Sequence, residues 1–241
     1  MSNPDRLEND PNSPPIDLKD IILRLTHSDE VMVPDTVRSI ALGTFGDQAR
    51  GLHQRTQQDP EKIEHGRPVF VTHDGKVLIR TSDIVGRKTA RGQEIEIGWK
   101  YIINPNGQGR RSAVDRYLAG VIHAHPSPYP PSMMDLQGLL LTPSDPNSET
   151  FVYVSNSHGH ILVFRGPTTP RLTSKKAKSF IEKATLFTLA AVTKLSESGF
   201  EGDSDERMQI VIFSDIIKYL DLRVFTCPLE SEVAQRRWPA K

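Results

Sequence analysis

Two hydrophobic rhythms alternate along the chain. Over 16–25 the apolar positions Ile16, Leu18, Ile21, Ile22 and Leu25 recur at helical spacing. Pro34-Asp35-Thr36 opens a second helical stretch, with Val37, Ile40, Ala41 and Phe45 along one side, that fades before Asp59-Pro60. After Glu64-His65-Gly66-Arg67 the period falls to two. Residues 69–71, a turn over His73-Asp74-Gly75-Lys76 and residues 77–79 predict a β-hairpin. The basic, glycine-containing stretch 86–93 reads as a loop. Residues 94–103 read as a strand with Ile95, Ile97 and Trp99 on one face, and N-P-N-G-Q-G-R-R at 104–111 as a turn or loop.

Residues 118–125 predict a buried strand that ends at His123 and His125. A short helix over 132–141 follows, capped by Ser132, with Asp135 three residues on as in a capping box. A second hairpin joins 151–154 to 161–164 through a turn at 155–159. The longest helix covers 175–195, its stripe being Phe180, Ile181, Ala184, Phe187, Leu189 and Val192. Residues 208–213 read as a strand, Ser214 as the cap of a helix to 220, and 222–225 as a last strand. Strands and helices are interspersed, so the expected class is α/β or α+β, a mixed sheet flanked by helices.

Composition removes several function classes. Thirty Lys and Arg balance thirty Asp and Glu among 241 residues, so no global field attracts nucleic acid or membrane. Cys227 is the only cysteine, which excludes intrachain disulfides and cysteine zinc fingers; it reads as a core residue near the last strand. There is no apolar run of membrane-spanning length and no signal-peptide pattern at the start, so a cytoplasmic protein without a membrane partner is expected. Residues 1–17, rich in Pro, Asn and Asp, predict a disordered tail. Residues 227–241 read as a polar C-terminal tail, with Trp238 its only large apolar residue.

Chemistry concentrates at His123-Ala124-His125. On a strand, residues i and i+2 share a face, so both imidazoles can converge on one point. A carboxylate from the next element, Asp135, makes a third ligand. Two imidazoles and a carboxylate with a fourth position for water is the pattern of a catalytic zinc site. Each residue also has a structural reading: a strand histidine pair, Ser132 as a plain N-cap, Asp135 as its capping-box partner. His158-Gly159-His160 falls in a hairpin turn and is expected to be solvent-exposed, as are His65 and His73. Arg87-Lys88 and Arg110-Arg111 read as a solvated face without interleaved aromatics, so a nucleic-acid partner is not expected. A His-x-His also closes the first strand of TIM-barrel amidohydrolases, but too few strand–helix units follow for a barrel.

The order His123-x-His125, Pro126, Ser132-x-x-Asp135 resembles the signature of the JAMM (MPN/JAB) metalloprotease family, which adds an upstream glutamate near the first core strand. Glu64 stands where that glutamate belongs, and Glu61 is the alternative. The resemblance spans roughly 35–226 and implies a cytidine-deaminase-like core, with helices over 18–58 and a catalytic domain over 59–226. It implies Zn2+ on His123, His125 and Asp135, Glu64 as general base and Ser132 as oxyanion donor. The implied reaction is hydrolysis of a peptide or isopeptide bond in a protein or peptide substrate, a ubiquitin-like one among the candidates. Two departures stand out: six residues rather than seven separate His125 from Ser132, and Ala124 replaces the common Ser or Thr. They place the chain beside divergent bacterial-type members. They also keep open a non-catalytic MPN-like interaction module, or a RadC-like role linked to DNA processing.

Overall fold

The computed structural model describes residues 13–27, 33, 35–89, 92–94, 116–145, 147–197 and 204–238. The strands are β1 (Ile16–Asp17), β2 (Ser39–Ala41), β3 (His65–Thr72), β4 (Val77–Ile79), β5 (Ile84–Val85), β6 (Arg87–Thr89), β7 (Gly92–Glu94), β8 (Arg116–Ala124), β9 (Phe151–Asn156), β10 (Gly159–Arg165), β11 (Leu222–Cys227) and β12 (Val233–Trp238). The helices are α1 (Leu18–His27), α2 (Thr44–Gln58), α3 (Ser174–Glu197) and α4 (Ser204–Tyr219). Ten strands form one mixed sheet in the order β1-β2-β12-β11-β10-β9-β8-β3-β4, with β5 also paired to β3. The class is therefore mixed α/β, as expected. Among the described residues no helix is long and apolar enough to cross a membrane.

Alternation along the strands builds a core on each face. Phe151 and Tyr153 of β9, Leu162 and Phe164 of β10 and Phe225 of β11 pack with Leu18, Ile22, Phe45, Ala49 and Leu52 of α1 and α2. Their neighbours of opposite phase, Val152, Val154, Val163 and Val224, pack with Ile181 of α3, Phe213 and Ile217 of α4, and Leu220 just after it. Every residue of β9 is buried, which suits a strand covered on both faces and paired in parallel with β8. Gly120 makes that pairing possible. A Cβ there would lie 2.2 Å from the Phe151 carbonyl oxygen, far inside contact distance.

Both expected hairpins are present, with Val69 opposite Ile79 and Leu162 opposite Tyr153. Several expectations are overturned. Residues 39–41 form β2 rather than helix, because Ile40 is held between β1 and β12 and Gly43, at φ 51°, breaks the chain before α2. Ile16 and Asp17, read as tail, form β1. Residues 87–89 and 92–94 form a small hairpin rather than a loop; the strand and loop expected over 95–111 lie outside the described residues. The helix expected over 132–141 shrinks to a turn and a 3-10 helix, Gln137–Leu140. Residues 208–213 lie in α4, not in a strand, since Phe213 and Ile217 meet the core one helical turn apart. In α3, Phe180, Ile181 and Ala184 pack on the core, whereas Phe187 is 77% exposed. Residues 233–238 of the expected tail are a sheet strand, β12.

Candidate metal centre

β8 aims its last two histidines by alternation. His123 pairs with Val154 across the parallel β8–β9 ladder, and the His125 backbone N–H continues it by donating to the Ser155 carbonyl at 2.9 Å. His123 and His125 therefore lie on the α3/α4 face, while Ala124 between them joins the α1/α2 core. Their Nε2 atoms are 3.2 Å apart and both rings are buried. Antiparallel β3 brings in the glutamate. His65 lies opposite Ala124, so Glu64 comes alongside His125, its Oε1 3.9 Å from His125 Nε2. Its backbone carbonyl is tied to the Gly86 N–H at 2.7 Å. Glu61, the alternative, is exposed.

Asp135 closes the group. Its Oδ1 is 3.3 Å from His123 Nε2 and its Oδ2 3.5 Å from His125 Nε2. The capping box is formed as well: Asp135 Oδ2 accepts the Ser132 N–H at 2.6 Å, and Ser132 Oγ accepts the Asp135 N–H at 3.3 Å. The structural and ligand readings of Asp135 coexist, because Oδ1 faces His123 outside the cap while Oδ2 is shared between the Ser132 N–H and His125. One ligand atom from each of His123, His125 and Asp135 lies within 4.8 Å of the others, and the three could hold a metal ion. The His125 Nδ1–H donates to the Tyr129 carbonyl at 3.1 Å, since a carbonyl can only accept.

Charge in this pocket is tuned by burial and proximity. Burial pushes His125 down, but the Asp135 hydrogen bond and the nearby Asp135 and Glu64 charges outweigh it and raise His125 to about 9. Burial pushes Asp135 up, yet His123 and His125 hold it well below the usual carboxylate range. Glu64 moves the other way, raised by burial against the pull of the two histidines. Half-buried carboxylates beside buried imidazoles make a site that favours positive charge.

Sequence reading missed a supporting layer. Arg165, 1% exposed, donates through Nη2 to the Gly138 and Leu141 carbonyls and to Ser148 Oγ, pinning the turn that follows Asp135. Glu149 lies across Gly138, where a Cβ would come within 2.5 Å of its carboxyl. Burial and the Asp135 charge raise Glu149 to about 8, against the pull of Arg165. The Pro-rich loop is held by Asn156 and Gln57. None of these carries a local signal, because the groups they meet lie elsewhere along the chain.

Three histidine expectations resolve differently. His73 is exposed, against Tyr117. His65 is half-buried, 3.6 Å from Asp59 and 3.4 Å from Asp83, because it opens β3 beside α2. His158 is exposed in its turn, but His160 is 1% exposed, since strand β10 already begins at Gly159. Cys227 is buried, as expected, and burial pushes its thiol up to about 11. Comparison with protein-family models, curated proteins and solved structures finds no significant match to this chain.

Proposed function

We propose that this protein is a zinc-dependent peptidase or isopeptidase of the JAMM (MPN/JAB) kind, built on a cytidine-deaminase-like core. One observation carries the reading: Glu64, from the opposite strand, faces the point where His123, His125 and Asp135 converge. A purely structural histidine pair has no need of two half-buried carboxylates beside it. The donor set fits zinc, with two imidazole nitrogens and one carboxylate oxygen. Tyr129 fits too, because a Nδ1–H committed to its carbonyl leaves the neutral His125 ring its Nε2 lone pair. Bound there, zinc supplies Lewis acidity, lowering the pKa of water from 15.7 to about 7.

The chain's own residues do the rest. Glu64 takes a proton at its carboxylate and delivers it to the leaving amine. Burial raises its pKa towards the range in which it can do both. Ser132 Oγ accepts the Asp135 N–H, which leaves the hydroxyl hydrogen to donate to the oxyanion of the tetrahedral intermediate. The substrate is a protein or peptide, with ubiquitin-like fusions the first to try.

Two measurements test this reading. Metal analysis should find zinc in the wild type and none in Asp135→Ala; a wild type that binds no added zinc would sink the proposal. Cleavage of ubiquitin-like fusions should fall about 10²–10⁴-fold in Glu64→Ala, the usual contribution of a general base. Equal activity would remove Glu64 from the mechanism. Zinc binding without any hydrolysis would favour the non-catalytic interaction module.

A further inference from the structure

The segment that joins His125 to Ser132 is poor in backbone donors. Four of its six residues are prolines, at 126, 128, 130 and 131, and a proline has no backbone N–H to donate. Its carbonyls must find donors elsewhere, since buried carbonyls are seldom left unpaired. Asn156, the last residue of β9 and 1% exposed, supplies two: its Nδ2 donates to the Pro128 and Tyr129 carbonyls, each at 3.0 Å. Its Oδ1 accepts the His158 N–H at 2.9 Å, which ties the same amide to the β9–β10 turn. From α2, Gln57 Nε2 donates to the Pro126 carbonyl at 3.0 Å.

The Tyr129 carbonyl therefore accepts two hydrogen bonds, one from Asn156 and one from His125 Nδ1 at 3.1 Å. We infer that Asn156 is a positioning residue of the candidate metal centre, acting through the Tyr129 carbonyl to fix the ring orientation of His125. The pairing of β8 with β9 makes this possible. Ser155 lies beside Ala124, so Asn156 is the next side chain along, next to the start of the loop. Released from Asn156, the Tyr129 carbonyl no longer offers one fixed acceptor, and the ring is free to turn Nε2 away from Asp135. The consequence for metal rests on the proposed function; the hydrogen-bonded chain does not.

Asn156→Asp is the sharpest variant. It keeps the shape and the Oδ1 acceptor for His158, and it replaces the donor with an oxygen facing two carbonyls. Three readouts apply to the full chain: thermal unfolding, protection of the His125 Nδ1–H in the metal-free protein by NMR, and zinc affinity by chelator competition. Asn156→Asp should remain folded, lose the protected ring proton and bind zinc about 10–100-fold more weakly, the usual effect of losing an outer-shell partner. Gln57→Ala, farther from the ring, should weaken zinc binding less than tenfold. A merely structural role would lower the melting temperature and leave ring proton and affinity unchanged. Wild-type values of both in folded Asn156→Asp would overturn the inference. If Asn156→Asp does not fold, Asn156→Ser carries the same test. If the wild type binds no zinc but the variant still loses the ring proton, the metal reading fails and the positioning role stands.

Discussion

The chain contains two His-x-His segments, and they meet opposite fates within one row of the sheet. Ala124, Ser155 and His160 are neighbours across β8, β9 and β10. His160 is thus in phase with Ala124 and faces the α1/α2 side, whereas His123 and His125 face the other. A phase difference of one residue separates them. His160 meets the Tyr153 ring at 5.4 Å and donates from Nε2 to the Leu229 carbonyl at 3.0 Å. Burial lowers it to about 4. His125 is also buried, but Asp135 and Glu64 raise it to about 9. The motif by itself does not make a cation site. What sets His125 apart is the two carboxylates in reach.

That contrast can be broken in graded steps. Asp135→Asn should have the largest effect: zinc affinity should fall by more than about 100-fold, since outer-shell partners alone are worth about 10–100-fold. Titration of the same variant by NMR should place His125 well below 9, because the main opposition to burial is gone. The next effect belongs to His160. Its folded-state value of about 4 lies below the usual 6.5, so the unfolded chain takes up this proton first as pH falls. The stability it contributes is fully present above 6.5 and is lost between 6.5 and 4, up to about 3 kcal/mol at 1.36 kcal/mol per unit. Denaturant unfolding across that window should show the slope, and His160→Gln should flatten it without altering zinc binding. Smallest of all, His158→Ala should change stability by no more than about 0.5 kcal/mol, as for most exposed positions, and leave metal affinity unchanged. A loss of zinc on removing His158 or His160 would undo the distinction between the two segments.

The site was more legible than the fold around it. His-x-His on a strand declares its shared face through the period of two, and Ser-x-x-Asp declares a capping box through local spacing; both arrangements are present. Glu64 over Glu61 was legible only from its nearness to a strand start, and β3–β8 pairing brings Glu64 in. What escaped depends on partners distant in sequence. Met208 to Phe213 is an apolar run that suits a strand or a buried helix equally, and only its packing against β11 decides. β12 is largely polar because it is a short strand whose pairing with β2 and β11, not its own apolar content, holds it. Asn156 looks like any turn asparagine until the carbonyls 27 and 28 residues away are seen beside it.

The placement of β12 has a consequence for how the molecule is made. β2 pairs with β1 on one side and β12 on the other, and the Leu42 N–H is held by the Glu232 carbonyl. Asp35 is gripped by Arg236, 201 residues along the chain. The sheet edge that leads into α1 is therefore anchored by a segment nearly the whole chain away. Contacts of such range pay their loop-closure entropy before they return anything, and they slow folding. The strip formed by β1 and β2 therefore owes its place in the large sheet to β12, through contacts of the longest range.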